Sequence, residues 1–321
     1  MQYPKITIIT PSYNQAQYIE QTIDSVLSQK YPNLEYFIFD GGSKDASAEV
    51  IARYEKHLAY WQSAPDKGQT DAINKGLARS TGDIVNWLNS DDYYEPNALF
   101  EVADAFMRTN AQVVCGRSRI FKGEETLFYS NGTDIYPENL AKTIGWARID
   151  QPETFFGRQA IKEMGTPDVR FQYLMDRDWW IKYLLHFGLE RIEKIDNVLV
   201  NFRHHEQSKT ISQQSHFEVE RNSLFVALAD FYACEDIATF MRSHYEVKPD
   251  FRLASFPTID TTFAKQFLHY YLLLTAEELY VKREHAKAKI ILSFIDKHCL
   301  HREDIKLYKK IRLRNAIRTW L

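Results

Sequence analysis

Four short polar clusters in the first hundred residues each follow an apolar run, and three of them carry carboxylates. Aspartate, asparagine and serine offer oxygens to a hard cation or to hydrogen-bond donors, and glycine lets the backbone approach a flat ligand. Carboxylates gathered in one place repel each other unless a cation or donor groups offset their charge. The same residue types also cap helices and form turns, which is the structural alternative for each cluster alone. The clusters are Pro11-Ser12-Tyr13-Asn14, Asp40-Gly41-Gly42-Ser43-Lys44-Asp45, Asp66-Lys67-Gly68-Gln69 and Asn89-Ser90-Asp91-Asp92.

The stretches between these clusters predict alternating strands and helices. Short runs rich in β-branched and aromatic residues, typical of buried strands, occur at 6–10, 36–40, 60–62 and 84–88. Amphipathic segments separate them, and because parallel strands need such helical crossovers, the pattern indicates an α/β sheet covered on both faces. Ligands bind beyond the carboxyl ends of the strands in sheets of this kind. We therefore expect the four clusters to meet at one edge of one sheet.

Composition excludes several classes of protein. With 45% hydrophobic and 14% aromatic residues over 321 positions, the chain can bury a large core and is not disordered. It has no run of about 18 apolar residues, and its first residues lack the basic region and cleavage site of a signal peptide. These features predict a soluble, cytoplasmic protein. The three cysteines, Cys115, Cys234 and Cys299, are far apart in the sequence, which argues against a disulfide framework or a zinc site.

The last hundred residues follow a different pattern. Strand-like runs nearly vanish after about residue 215, and the segments 217–232, 263–280 and 285–297 favour helix. A polar stretch at 212–215 separates the two patterns. Since a domain commonly has about 150 residues, the length allows about two folding units or one large domain with an appendage.

In their order and spacing, the clusters resemble the family 2 glycosyltransferases of GT-A fold. The resemblance covers roughly residues 4 to 210 of this sequence. The matching residues are Thr10-Pro11-Ser12-Tyr13-Asn14, Asp40-Gly41-Gly42-Ser43-Lys44-Asp45, Asp66-Lys67-Gly68 running into Asp71-Ala72-Ile73-Asn74-Lys75-Gly76, and Leu88-Asn89-Ser90-Asp91-Asp92. In that family the N-terminal half binds a nucleotide-diphosphate sugar, and the sugar passes to an acceptor with inversion at the anomeric carbon.

The resemblance also implies the organisation of the chain. We expect a GT-A (Rossmann-like) nucleotide-sugar-binding sheet of α/β class, followed by a mostly helical C-terminal extension. The catalytic domain would span 1–214, with a nucleotide-sugar-binding half at 1–110 and an acceptor half at 111–214. The helical extension would then span 215–321.

Donor-binding residues are implied in all four clusters and in the segment that follows the third. They are Pro11, Ser12, Tyr13, Asp40, Asp66, Lys67, Gly68, Asn74, Ser90 and Asp91. The carboxylate of Asp40 can accept a hydrogen bond from a uracil N–H, and its alternative is a turn residue. Tyr13 packs against the base or ribose in one interpretation and is half-buried packing in the other. Asp45 is better explained as a cap of the following helix than as a ligand-binding residue.

Asp91 is the candidate metal ligand. By resemblance, Asn89-Ser90-Asp91 occupies the D-x-D position of the family, with its first Asp replaced by Asn. This implies that Asp91 holds Mn²⁺ or Mg²⁺ together with the two donor phosphates. Such a cation neutralises the leaving diphosphate as the glycosidic bond breaks. Asp92 is a weaker candidate because it can instead cap the turn that leads to Pro96.

The second half must supply a base for the acceptor hydroxyl. The segment Met175-Asp176-Arg177-Asp178-Trp179-Trp180 resembles the acidic motif of the family, with Met175 in place of an acidic residue, and this implies that Asp176 is the catalytic base. The alternative for Asp176 is a carboxylate favoured by the helix dipole at the start of a helix predicted over 174–187. Asp178 would pair with Arg177 or Lys182. The two tryptophans are better explained as core residues than as sugar platforms.

The segment 203–210 resembles the R-x-H-x-x-S loop that lies over the diphosphate in relatives. The resemblance implies that His205 donates to phosphate or is an additional metal ligand, and that Arg203 and Lys209 add positive charge near the diphosphate. Zinc is not expected here because the spacing suits no closed tetrahedral site. Glu153 lies in a segment that precedes the acceptor side in relatives, where it would contact sugar or acceptor, or simply form a polar turn.

The C-terminal end suggests a partner. Residues 302–321 contain seven Lys or Arg and two acidic residues, so this end is basic although the chain as a whole has a formal charge of -3. Peripheral contact with the cytoplasmic face of an anionic membrane would suit a lipid-linked acceptor. Its apolar positions scatter around the helical wheel, which leaves a solvated helix or an oligomer contact as the alternative. Nucleic acid is not an expected partner because no basic stripe with interleaved aromatic residues occurs.

The sequence therefore predicts an inverting, metal-dependent glycosyltransferase of the hexosyl- or N-acetylhexosaminyl-transferase type. It would move sugar from a nucleotide-diphosphate donor, UDP-linked by expectation, to a hydroxyl of a glycan or lipid-linked acceptor in surface polysaccharide biosynthesis. The alternative is a non-catalytic nucleotide-sugar-binding or scaffold protein that kept the fold. This alternative is prompted by Asn89 and Met175, which stand at acidic positions of the family.

Overall fold

The computed structural model describes residues 2–146, 148–205 and 213–318, and the chain divides into two compact units. The first unit comprises Met1–Thr133 and Ile149–Gln214, and the second comprises Asp134–Arg148 and Ser215–Leu321. The division after residue 214 lies at the boundary expected near residue 215. The segment Asp134–Arg148, which the sequence analysis assigned to the acceptor half, belongs instead to the helical unit.

A nine-stranded sheet forms the first unit. Its strands are β1 (Ile6–Ser12), β2 (Leu34–Asp40), β3 (Tyr60–Ser63), β4 (Ile84–Trp87), β5 (Tyr93–Tyr94), β6 (Val113–Lys122), β7 (Glu125–Tyr129), β8 (Thr154–Gly157) and β9 (Ile192–Arg203). They follow the order β3-β2-β1-β4-β8-β6-β9-β5, and β7 pairs with β6. The first four positions are parallel neighbours, whereas β8 runs antiparallel to both β4 and β6. The expected α/β sheet is confirmed, with a mixed second half.

The described residues also form twelve α-helices. They are α1 (Ile19–Leu27), α2 (Ser47–Arg53), α3 (Gln69–Arg79), α4 (Ala98–Arg108), α5 (Leu140–Trp146), α6 (Arg158–Met164), α7 (Met175–Phe187), α8 (Gln214–Phe231), α9 (Glu235–His244), α10 (Thr261–Val281), α11 (His285–Phe294) and α12 (Arg302–Arg318). The predicted helices of the C-terminal third correspond to α8, α10 and α11. None of the helices in the described part of the chain is long and apolar enough to cross a membrane.

The core of the first unit lies on both faces of the parallel strands. All seven residues of β1 are buried, so its side chains pack against helices on either side. Ile6 and Ile8 belong to the same cluster as Ile23 of α1 and Leu99 of α4. Burial of each such aliphatic side chain stabilises the folded state by about 1.5–3 kcal/mol. The packed strands are therefore a rigid support for the loops at their ends.

In the helical unit, close packing holds the segment Asp134–Arg148 to α10. A Cβ on Gly145 would lie 2.4 Å from the carbonyl oxygen of Phe267, so only glycine permits this approach. The Lys142 ammonium lies 2.7 Å from Oδ1 of Asp304, and the hydroxyl of Tyr270 donates to Oδ2 of the same carboxylate at 2.8 Å. These long-range contacts explain why the segment belongs to this unit although it lies far away in the sequence.

Candidate functional site

The last residues of β1, β2 and β3 lie side by side in the parallel sheet, where Ser12 pairs with Asp40 and Asp40 pairs with Ser63. We call the edge at which β1 to β4 end the carboxyl edge. Asp40 is 1% exposed, and its carboxylate accepts hydrogen bonds from the backbone N–H groups of Gly42 (3.1 Å) and Ser43 (2.9 Å) and from the hydroxyls of Ser43 (2.5 Å) and Ser63 (2.6 Å). Four bonds nearly fill the capacity of a carboxylate. The geometry thus fits the turn alternative, and contact of Asp40 with a base stays a prediction.

Glycines bring a second carboxylate next to this turn. Gly42 has a φ of +79°, a conformation that side chains with a Cβ rarely adopt. A Cβ on Gly41 would lie 3.1 Å from both carboxylate oxygens of Asp66. Oδ1 of Asp66 accepts the backbone N–H of Gly68 at 2.8 Å, and the neighbouring Lys67 is exposed. The second and third polar clusters therefore meet at the carboxyl edge, as expected from the parallel strands.

The remaining predicted donor residues differ in accessibility. Tyr13 is 58% exposed, so the half-buried packing alternative does not describe it. The Asn74 amide donates to the carbonyl of Pro167 at 2.8 Å, which ties α3 to the loop before α7. Asp45 accepts the backbone N–H groups of Ala16 and Ser47 at 3.0 Å each. It contacts the start of α2, but the N-cap of this helix is Ala46 and not Asp45. Three further residues of the predicted set are buried: Pro11, Ser12 and Ser90.

Antiparallel pairing of β5 with β9 brings together residues more than a hundred positions apart. Tyr93 pairs with Asn201, so Asp91, just before β5, faces the residues that end β9. Oδ2 of Asp91 lies 2.9 Å from Nε2 of His205, and the two side chains are 20% and 11% exposed. The structure thus brings two of the predicted metal ligands into direct contact, beside the end of β4.

Asp92 lies inside the fold. It is 1% exposed, and its Oδ1 accepts the backbone N–H of Arg203 at 2.9 Å. Burial, reinforced by the nearby charge of Asp91, raises the pKa of this carboxyl well above its usual range. Asp92 therefore binds the end of β9 and does not face the carboxyl edge as a ligand.

Arg203 is also engaged by protein groups. Its Nε donates to the carbonyl oxygen of Asp91 at 2.9 Å, and its Nη2 donates to Oε1 of Gln21 at 2.5 Å. The guanidinium carbon lies 4.6 Å from the ring centroid of Tyr18 and 4.7 Å from that of Phe121. The sequence does not single out Tyr18, which directly precedes the amphipathic helix α1, or Gln21 within it, because both have the pattern of ordinary packing and surface residues.

The residues present fit a divalent cation held partly by substrate. Among the described residues no group of three or more His, Cys, Asp or Glu could hold a metal ion. Asp91 and His205 supply two facing ligand atoms, and a hard cation in a nucleotide site commonly takes one or two protein ligands plus phosphate oxygens. Asn89, at the first acidic position of the motif, accepts a hydrogen bond from Nε2 of Gln69 at 2.7 Å. A two-ligand Mn²⁺ or Mg²⁺ site therefore suits this geometry.

Asp176 is the second residue of α7. The hydroxyl of Thr70 in α3 donates to the carbonyl of Phe171 at 2.7 Å, which joins the segment before α7 to the start of α3. Oδ1 of Asp176 accepts the backbone N–H of Arg177 at 2.7 Å. Burial, with a smaller contribution from the charge of Asp150, raises the pKa of Asp176 to about 7. A carboxyl with this pKa can take up a proton near neutral pH.

The neighbours of Asp176 on α7 have structural roles. Asp178 is 1% exposed and lies 2.9 Å from the ammonium of Lys182, which is one of the two pairings expected from the sequence. Trp179 and Trp180 are buried, and Nε1 of Trp179 donates to the carbonyl of Gly165 at 2.9 Å. The expectation that both tryptophans are core residues is confirmed.

Glu153 lies in a short 3-10 turn before β8 and is buried. Its carboxylate accepts hydrogen bonds from the hydroxyls of Ser118 (2.5 Å) and Ser130 (3.1 Å). Burial, with the charge of Asp150 adding, raises the pKa of Glu153 to about 8. The polar-turn alternative therefore describes this residue. Residues 206–210 of the predicted loop, including Lys209, lie outside the described residues.

Known proteins related in sequence carry the same domain. The family model described as Glycosyl transferase family 2 matches residues 7–165. An uncharacterized glycosyltransferase of Rickettsia typhi is 28% identical over 193 residues, which is 56% of this chain and 59% of that protein. Another, from Rickettsia prowazekii, is 24% identical over 88% of this chain and 92% of its own length. The Bacillus subtilis glycosyltransferase TuaG, named as a candidate for teichuronic acid biosynthesis, is 39% identical over 30% of this chain and 39% of its own length.

Solved structures share the fold. Staphylococcus aureus TarS 1-349 in complex with UDP-GlcNAc matches with a TM-score of 0.58 and 15% identity, covering 97% of this chain and 89% of that one. The mannosyltransferase PcManGT from Pyrobaculum calidifontis, in complex with GDP-Man and Mn²⁺, matches with a TM-score of 0.50 and 15% identity, covering 98% and 86%. The expected GT-A fold is thus confirmed. This chain therefore carries a glycosyl transferase family 2 domain over residues 7–165.

Proposed function

We propose that this chain is an inverting, metal-dependent glycosyltransferase that transfers sugar from a UDP-sugar to a hydroxyl of a glycan or lipid-linked acceptor. The observation that carries the proposal is the Asp91–His205 pair, whose ligand atoms lie 2.9 Å apart beside the end of β4. A divalent cation bound there neutralises the negative charge that develops on the leaving diphosphate. The family also makes the enzyme a better explanation than a non-catalytic binding protein.

Asp176 acts as the base in this proposal. Inversion in one displacement needs an acceptor hydroxyl activated on the face opposite the leaving group. A base with a pKa of about 7 is largely deprotonated slightly above neutral pH and still basic enough to accept the hydroxyl proton in the transition state. The backbone N–H of Arg177 orients its carboxylate at 2.7 Å, so the side chain is held in one position before the acceptor arrives.

The donor-binding residues of this proposal lie at the ends of β1, β2 and β3. The exposed ring of Tyr13 offers a face to the base or ribose, and the turn after Asp40 lets the backbone approach a flat base. UDP is favoured because TarS, which shares the fold, was solved with UDP-GlcNAc. PcManGT was solved with GDP-Man, so the identity of the nucleotide belongs in the test.

The test is titration of UDP, GDP and dTDP with and without Mn²⁺, followed by incubation with the matching sugar donors and a panel of glycan and lipid-linked acceptors. We expect UDP to bind more tightly with Mn²⁺ and to be released from UDP-sugar during transfer. Asp91→Asn should lose the Mn²⁺ enhancement, whereas Asp196→Asn, a matched change at an exposed position of β9, should keep it. Metal-enhanced binding without transfer to any acceptor would instead support the non-catalytic alternative.

We also propose that the acceptor belongs to surface polysaccharide and that the enzyme meets it on an anionic membrane. The relative TuaG is named for a related process. One face of the helix α12 buries Asp304, Tyr308, Ile311 and Asn315. Two of these four residues are polar, so the apolar residues alone do not mark the buried face on a helical wheel. Its other faces expose basic side chains and Leu313, which is 64% exposed. The basic residues are Lys306, Lys309, Lys310, Arg312 and Arg314.

Vesicle sedimentation tests this contact. The full chain should bind vesicles that contain phosphatidylglycerol and not pure phosphatidylcholine vesicles, with binding that weakens as salt rises. The triple change of Lys306, Lys309 and Lys310 to Glu should abolish binding, while the same change at Lys56 should leave it intact. Binding that ignored lipid charge, or no binding at all, would contradict the membrane proposal without affecting the assignment of the catalytic centre.

A further inference from the structure

Arg203 directs its hydrogen-bond donors to protein atoms that surround the candidate metal ligands. Its backbone N–H donates to Oδ1 of Asp92 at 2.9 Å, and its Nε donates to the carbonyl oxygen of Asp91, also at 2.9 Å. Its Nη2 donates to Oε1 of Gln21 in α1 at 2.5 Å. One arginine therefore joins the end of β9 to α1 and to the turn after β4. The turn it holds carries the carboxylate of Asp91.

Aromatic rings enclose the same guanidinium. Its carbon lies 4.6 Å from the ring centroid of Tyr18, 4.7 Å from that of Phe121 and 5.8 Å from that of Tyr93. Cations over ring faces at these distances are attracted by the ring quadrupole, more strongly when they are removed from water. The ring of Tyr18 also packs against the imidazole of His205, with centroids 4.9 Å apart. Tyr18 thus touches both the arginine and the second candidate ligand.

We propose that Arg203 is a positioning residue for the metal centre and that it does not bind the donor diphosphate. It fixes the peptide of Asp91 directly and the ring of His205 through Tyr18, so the two ligand atoms stay 2.9 Å apart. This inference rests on the proposed function, because it assumes a divalent cation at these two residues. It replaces the role suggested by the loop motif, in which Arg203 adds charge beside the phosphates.

Lysine cannot take over this role. Its ammonium is a compact charge with no planar fork, so it cannot donate to both Asp91 and Gln21 while keeping its charge over the rings of Tyr18 and Phe121. Loss of the supporting contacts behind metal ligands commonly lowers metal affinity by about 10–100-fold. Lysine can, by contrast, bind phosphate as a point charge.

The test measures Mn²⁺ affinity and nucleotide affinity separately. Mn²⁺ is titrated into the full chain with UDP present, and UDP and uridine are titrated without metal. Arg203→Lys should lower Mn²⁺ affinity by about tenfold or more and leave the metal-free ratio of UDP to uridine affinity unchanged. The matched control is Arg119→Lys, which removes another arginine near Phe121, one that binds Thr126 and Asn201. It should change neither quantity.

Tyr18 supplies a second variant that leaves Arg203 in place. Tyr18→Phe keeps the ring and should retain Mn²⁺ affinity, whereas Tyr18→Leu should lower it. An Arg203→Lys protein with unchanged Mn²⁺ affinity, or one whose metal-free UDP affinity fell while uridine affinity held, would overturn the positioning role. A wild-type protein that bound no Mn²⁺ even with UDP would overturn the proposed metal dependence itself, and this inference with it.

Discussion

The turn after β2 and the turn after β4 use aspartate in opposite ways. Asp40 is surrounded by donors, with two backbone N–H groups and two serine hydroxyls bound to its carboxylate. Asp91 has a titratable partner, the imidazole of His205, and remains 20% exposed. A carboxylate that already has its full set of donors organises backbone, whereas one that faces a single ligand-type atom retains the capacity to bind a cation.

Asp176 extends this comparison to a third position. It accepts one backbone N–H from Arg177, and burial raises its pKa to about 7. Burial of this carboxyl, which the single donor Arg177 N–H offsets only in part, thus brings its pKa close to neutral pH. We therefore expect the number and kind of bonds around each aspartate to distinguish structural from chemical positions better than residue type does.

The largest effect is expected at Asp176. Asp176→Asn removes the only proposed base and should lower kcat by about 10²–10⁴-fold while UDP affinity stays near that of the wild type. Steady-state transfer assays and UDP titration measure the two quantities, with Asp196→Asn as the matched change at an exposed site. Activity that survived in Asp176→Asn would show that another group takes the acceptor proton.

A stability measurement contrasts the two turns directly. Asp40→Asn leaves several donors in the turn without an acceptor, so the free energy of unfolding should fall by about 1–3 kcal/mol. Asp91→Asn removes a partly exposed carboxylate and should change stability much less. Chemical denaturation of both variants gives the comparison. Equal losses in the two variants would mean that the number of bonds does not distinguish the two turns.

The pH dependence of transfer sharpens the assignment of Asp176. The base works only when deprotonated, so kcat/KM should rise with pH up to about 7 and then level off. The charge of Asp150 contributes to the raised pKa of Asp176. Asp150→Asn should therefore move the rising limb of the kcat/KM profile to lower pH. A limb that stayed in place in Asp150→Asn would point to a different titrating group.

The smallest effect concerns Glu153, a buried carboxyl with two hydroxyl donors. Its pKa is raised from 4.5 to about 8 by burial, so between these values the folded state holds a proton that the unfolded state releases. The unfolding free energy contributed by this group therefore falls as pH rises through that window. Glu153→Gln should reduce the difference in melting temperature between pH 5 and pH 9 by a few degrees. An unchanged difference would indicate an ordinary pKa.

The sequence by itself determined the sheet and the edge at which its polar clusters lie. Apolar runs of strand length, each followed by Asp, Asn, Ser or Gly, predict parallel strands whose ends share an edge, because the repeat of strand and helix leaves few alternatives. The order of the motifs identified the family, and the helical pattern after residue 215 predicted the C-terminal unit. These features depend on local periodicity and turn chemistry, which a linear sequence contains.

Only the tertiary structure decided what each side chain touches. The 2.9 Å contact of Asp91 with His205, the enclosure of Arg203 by Tyr18 and the membership of Asp134–Arg148 in the helical unit all join residues distant in the sequence. Such contacts follow from strand order and register, and local patterns contain neither. The same is true of the raised pKa of Asp176, because it arises from burial by the folded chain around it.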